Sequence, residues 1–203
     1  MVKKGRSVLR KLFIIIVLTM VLITSTLAAQ VNIAKGKEYF LKYAADPKYP
    51  DDGTKLTDGR YGYPDYKDST WVGTTRKDQI IVVDLKDLYK IDKVSINFLR
   101  SNDEAVFLPA RIDVAISEDG IKWQSINSIA LDNKKMPPGK IITYKHSVEK
   151  INQKARFIAF KTISTVWLFM DEIEVLGDSS SKSKAPKGLY VDEIELDLID
   201  FES

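Results

Sequence analysis

Between residues 80 and 175 the chain switches repeatedly between apolar runs and strict apolar–polar alternation. Residues 80–85, IIVVDL, are apolar on both sides of an extended backbone, which predicts a strand covered on both faces. Val94, Ile96 and Phe98 alternate with Ser95 and Asn97, and Ile112, Val114 and Ile116 alternate with Asp113 and Ala115. A period of two predicts half-buried strands, each with one inward face. SEDG at 117–120 is a turn and IKWQSI resumes the extended chain, so the pair reads as a hairpin closed by Asp119-Gly120. In ARFIAFKTI, at 155–163, Phe157 and Ala159 share one face while Ile158 and Phe160 share the other. That pattern predicts a second strand buried on both sides. Residues 141–144 predict a short strand, and 167–175 the last of the set.

Helical periodicity is nearly absent. AKGKEYFLKYAA at 34–45 predicts a short helix weakened by Gly36, and 85–92 predicts a single turn. Residues 32–78 are polar, turn-rich and dotted with aromatics, and 132–140 form another polar break. The first of these is long for a loop in a compact domain, so it must be functional or tied down. Six to eight strands with irregular connections predict an all-β sandwich or jelly roll.

The two ends differ from this middle. Lys3, Lys4, Arg6, Arg10 and Lys11 precede an apolar run at 12–23, and Thr26-Leu27-Ala28 supplies small residues for cleavage after Ala28. This is the pattern of a secretory signal peptide over residues 1–28 and predicts export to the medium or the outer face of the envelope. The alternative is an uncleaved anchor, the one membrane attachment foreseen, although the apolar run falls short of the roughly 20 residues of a full span. The formal charge of +3 includes the five cations of residues 1–28, so the remainder stands at −2 and carries no basic stripe for nucleic acid. Without cysteine there is no disulfide framework. Beyond a predicted domain at 29–177, DSSSKSKAPKG at 178–188 has linker composition, and 189–203 alternates like a strand. That tail repeats an earlier phrase: LFMDEIEVLG at 168 returns as LYVDEIELDL at 189.

Six phrases, in order, resemble the discoidin or coagulation factor type C domain, a galactose-binding-like β-sandwich. They are NIAKGKEY at 32–39, KLTDG at 55–59, VVDLKDLYKIDKVSI at 82–96, PARIDVAISEDGIKWQSI at 109–126, ARFIAFKTI at 155–163 and DEIEVLG at 171–177. Lys86 stands where that family usually has glycine. The resemblance implies a structural Ca²⁺, with Asp58 and Glu172 as carboxylate ligands and Asp52, Lys55 and Thr57, or Asp51, completing the shell. Calcium takes six to eight oxygens, and a metal bound only by the folded state would offset the ordering of a long loop. Alternation places Glu174 on the face of Glu172, as a rival ligand, and Asp171 on the opposite face.

The resemblance also implies a ligand surface made by loops at one end of the sandwich. A sugar ring stacks its apolar face on an aromatic ring and needs fixed polar partners for its hydroxyls. The candidates are Tyr61, Tyr63, Tyr66, Trp71, Phe107 and Trp167, with Arg76, Arg100 and Asn102 as polar partners, whereas Trp123 reads as core. One histidine, His146, no cysteine, no nucleophile elbow and no zinc motif predict a non-catalytic protein. Two readings stay open: a module for cell-wall or extracellular glycan, and a cell-surface structural or protein-interaction module without glycan affinity. Exposed rings at 61–71 favour the first reading, and buried ones the second.

Overall fold

The computed structural model describes residues 30–75, 78–135, 140–164 and 166–202. The signal-like segment 1–28 and Arg76 lie outside the described residues. Among the described residues there are eight strands: β1 Gln30–Asn32, β2 Tyr39–Leu41, β3 Val72–Thr74, β4 Asp78–Arg100, β5 Arg111–Ser117, β6 Gln124–Ala130, β7 Ile142–Ile163 and β8 Leu168–Ser183. They form one antiparallel ladder system in the order β1-β8-β4-β7-β5-β6, with β2 on β4 and β3 on β8.

Two strands, β4 with 23 residues and β7 with 22, are long enough to serve both layers of a sandwich. The first limb of β4, up to Asp84, pairs with the last limb of β7 and with β2. From Tyr89 onward, β4 pairs with the first limb of β7 and with β8. β5 and β6 widen one layer, and β1 and β3 widen the other. The inward residues of both layers meet in one cluster, among them Ile81, Val83, Ile96, Phe98, Val114, Ile158, Phe160, Met170 and Ile173. This is the predicted all-β sandwich.

The bends fall at residues with left-handed backbone: Lys86 at φ 72°, Lys150 at 60° and Asn152 at 52°. Such a conformation costs a non-glycine residue roughly 1 kcal/mol. At Lys86 the local contacts offset it. Its amide donates to Asp84 Oδ1 at 2.7 Å, and its ammonium pairs with Glu38 and with Asp84. Residues 85–92, predicted as a helical turn, are strand, and the predicted short helix at 34–45 is a turn followed by β2. In both places ladder pairing outweighs a weak local preference.

The C-terminal region corrects two expectations. β8 runs on through residues 178–183, where Ser181 Oγ accepts the Lys90 amide at 2.8 Å, so the linker-like composition begins inside a strand. Residues 189–202 form two 3-10 turns, Val191–Glu193 and Leu196–Leu198, instead of the predicted strand. Their apolar side chains, Ile194, Leu196, Ile199 and Phe201, lie on Ile80, Val82, Ala115, Phe157 and Ala159, the outer face of the first layer. Each such side chain removed from water contributes about 1.5–3 kcal/mol before ordering costs. The tail is fastened at its start by the Leu189 amide donating to the Asp119 carbonyl at 2.9 Å. Further along, Lys42 joins Asp78 at 2.6 Å and Asp197 at 2.7 Å. This third layer is why β5 and the last limb of β7 are buried on both faces.

Candidate functional site

The polar segment after β2 lies across the outer face of the second layer, and buried carboxylates of β8 hold it there. β8 pairs Glu174 with Ser95 and Ile173 with Ile96, then Met170 with Phe98, so Asp171 and Glu172 together oppose Asn97. This is a β-bulge. Met170, Ile173 and Val175 all keep their side chains in the core, while Asp171 and Glu172 both turn toward the loop. The expectation that Asp171 lies on the opposite face from Glu172 is thereby corrected. One extra residue breaks the alternation on which it rested.

Four backbone bonds pin residues 59–63. Gly59 donates to Glu172 Oε2 at 3.0 Å and Gly62 to Asp171 Oδ2 at 2.6 Å. Tyr63 donates to Asp68 Oδ2 at 3.0 Å, and its carbonyl accepts Trp71 Nε1 at 2.8 Å. Asp68 is held in turn by the Thr70 amide and hydroxyl, at 2.9 and 2.6 Å. Gly62 is required, because a Cβ there would come within 2.8 Å of the Trp71 indole.

This scaffold divides the predicted aromatic group. Tyr63 is 77% exposed and Tyr61 45%. Tyr66 is half-buried, and Trp71, 1% exposed, packs with Leu99, Val106 and Phe169. Tyr61 is anchored at its hydroxyl, which accepts Lys145 Nζ at 2.6 Å, and Lys145 also pairs with Glu174. Burial and the neighbouring Glu174 carboxylate push the Tyr61 hydroxyl well above its ordinary pKa, so it stays protonated.

The remaining candidates lie elsewhere. Trp167 is half-buried, stacked on Phe169 at 5.8 Å and edge-on to Tyr49 at 5.2 Å. Phe107, also half-buried, sits beside it, with its amide donating to the Trp167 carbonyl at 3.1 Å. Arg100 is 0% exposed and its Nε donates to Asn102 Oδ1 at 2.9 Å, so Arg100 is a buried strut behind Asn102 and no surface donor. Tyr49 and Lys145 complete these two aromatic groups and were not legible in the sequence. Tyr49 carried one signal, an aromatic among turn residues in DPKYPDDG, whereas Lys145 reaches Tyr61 only through β7 pairing.

Of the predicted metal ligands, the structure brings together Asp58 and Glu172. Glu172 is 1% exposed, and among the described residues its oxygens accept from the Gly59 amide and from Asn32 Nδ2, at 3.4 Å. Burial pushes its pKa up to about 8, and the nearby charges of Asp58, Glu174 and Asp171 add to this. Burial likewise raises Asp171 to about 6, against the hydrogen bonds from Gly62 and Asn97. Neither carboxyl forms an ion pair with a described cation. Asp52 is exposed and turned to Thr54, the Thr57 hydroxyl donates to the Lys37 carbonyl at 2.7 Å, and the Lys55 ammonium reaches the Pro50 carbonyl at 2.6 Å. Asp51 accepts the Tyr39 hydroxyl at 2.5 Å. Among the described residues no three carboxylate or imidazole groups converge on one point. The Asp58–Glu172 pair nevertheless suits a hard, oxygen-seeking cation in kind, since it offers carboxyl oxygens, one set buried and one half-buried, with no ion-pair partner among the described residues.

The family model for the F5/8 type C domain matches residues 42–173, more than half of the chain. No curated protein sequence matches. Among solved structures, chitosan-binding module 1 of a chitosanase/glucanase from Paenibacillus sp. IK-5 superposes with a TM-score of 0.52 at 14% identity, covering 72% of this chain and 99% of that one. A fucose-binding module of Streptococcus pneumoniae, SpX-3, superposes with a TM-score of 0.52 at 20% identity, covering 71% of this chain and 96% of that one.

Proposed function

The chain belongs to the F5/8 type C domain family, and from that premise we propose that it is a non-catalytic carbohydrate-binding module acting outside the cell. The observation that carries this reading is the exposure of Tyr61 and Tyr63 on a loop whose backbone is fixed at four points. Rings held in place before the ligand arrives lose little freedom on binding, which is what a stacking platform for sugar requires. Lys145 and Glu174 border the platform as polar partners for hydroxyl groups. The chitosan- and fucose-binding modules of the same fold support glycan as the ligand class. Export rests on the signal-like segment 1–28.

Calcium belongs to the same proposal. Asp58 and Glu172, with backbone carbonyls of the turn between residues 55 and 58, would hold it. When bound, the ion neutralises buried negative charge and locks the loop base. No chemistry on a substrate is asked of it. The burial of Trp71 and the half-burial of Tyr66 favour the second reading, a protein-interaction module, because half of the ring group is structural.

A glycan-array screen, run with calcium and with a chelator, tests the proposal. Binding by the wild type that falls about tenfold in Tyr61→Ala/Tyr63→Ala is expected, since each stacked ring contributes about 0.5–1.5 kcal/mol. A silent array from folded, calcium-stabilised protein would move the assignment to the protein-interaction reading.

A further inference from the structure

An open cleft of about 440 Å³ lies between the β5–β6 hairpin and the bend of β7, lined by Glu118, Lys122, Trp123, Gln124, Gln153 and Lys154. Its volume falls within the roughly 300–1,000 Å³ of small-ligand clefts. Trp123, predicted as core, is only half-buried. The indole Nε1 donates to the Gly120 carbonyl at 3.2 Å and the ring leans on Phe157 at 6.3 Å, so one side is anchored while the ring also forms a wall of the cleft. The side chains of Gln124 and Gln153 have no hydrogen-bond partner among the described residues, and the ammonium groups of Lys122 and Lys154 have no ion-pair partner there. The turn carrying Trp123 is rigid: Asp119 Oδ1 accepts the amides of Ile121 and Lys122 at 2.9 Å, and Ser117 Oγ accepts that of Gly120 at 2.9 Å. The tail braces it from behind, for a Cβ on Gly188 would come within 2.1 Å of the Asp119 carbonyl oxygen.

We propose that this cleft is a second saccharide site, selective for a sugar carrying a carboxylate, of the hexuronate type. The indole offers a fixed surface for the apolar face of a pyranose. Two primary amides, each both donor and acceptor, suit vicinal hydroxyls. Two uncommitted ammonium groups suit one carboxylate, and charge-assisted hydrogen bonds of this kind are the stronger ones. Glu118 is the single acid of the set and accepts from sugar hydroxyls, while opposing a denser anion such as phosphate. The cleft shares no residue with the Tyr61–Tyr63 surface, and the inference does not depend on that surface.

Calorimetric titration with trigalacturonate, with galactotriose as the neutral control, tests it on the wild type, Lys122→Glu/Lys154→Glu and Tyr61→Ala/Tyr63→Ala. Trigalacturonate is expected to bind the wild type and the tyrosine variant alike, at least tenfold tighter than galactotriose. The lysine variant should lose that preference while keeping its melting temperature, because both lysines are exposed. Trp123→Phe keeps packing against Phe157 and should weaken both trisaccharides. Absence of trigalacturonate binding, equal affinity for the two trisaccharides, or affinity unmoved by the lysine changes would overturn the assignment. Loss in the tyrosine variant with the lysine variant intact would also overturn it, and would place the uronate on the tyrosine surface instead.

Discussion

Glu172 concentrates the electrostatic tension of the loop base in one carboxyl. With no cation in contact, burial and three neighbouring acids disfavour its charged form and hold its pKa up at about 8. Glu172→Gln keeps the shape and an acceptor for Gly59 while removing the charge. The variant is expected to melt no lower than the wild type in chelator, and to lose the upward shift that calcium gives the wild type. A calcium shift of equal size in both proteins would remove Glu172 from the ligand set. His146 titrates with the opposite consequence for acid. Burial lowers its pKa below the ordinary 6.5, so the folded state prefers the neutral ring, which contacts Asn127 Oδ1 at 2.9 Å. A group whose folded pKa is depressed stabilises the protein above the unfolded value and loses that contribution as the pH falls through the folded one. The His146 contribution should therefore shrink from pH 7 toward 5 while the raised pKa values of Asp171 and Glu172 favour the fold over the same range, so His146→Gln should gain stability relative to the wild type as the pH falls.

At the scale of elements, the alternating strands were readable because one face of each meets the core, and the two-sided pattern of 155–163 was readable for the same reason. What could not be read was the place where the pattern breaks. The bulge at Asp171–Glu172 inserts one residue and turns two acids to one side, which no period in DEIEV announces. The tyrosine loop was legible as exposed aromatics among turn residues, but Trp71 was not separable from Tyr61 and Tyr63, because its burial depends on Leu99 and Phe169 from distant strands. The repeat LYVDEIELDL illustrates the limit further. The phrase DEIE is strand where β4 offers an edge to pair with, and 3-10 turn where it lies over the face of a finished layer. The loop itself offers a test. Gly62→Ala drives a methyl into the Trp71 ring and should cost about 1–3 kcal/mol of stability. Glycan binding should fall with it, although neither exposed ring is altered. Unchanged binding would mean that the four-point anchorage is not what orders the platform.

For the whole molecule, the third layer is a commitment of residues outside the sandwich that covers one of its outer faces. Removing residues 189–203 exposes Ile80, Val82, Phe157 and Ala159 as one apolar patch. The truncated protein is expected to melt lower by several degrees and to self-associate in sedimentation velocity, since large exposed apolar patches drive association. A truncated protein that stays monomeric with its melting point unchanged would make the tail a passenger. The long bent strands have a different consequence, visible in hydrogen exchange. Because β4 and β7 each run through both layers, neither layer can open while the other stays closed. Amides on the two sides of Lys86 should therefore exchange at one common, global rate, whereas those of the tail, which lies outside the ladders, should exchange sooner and independently.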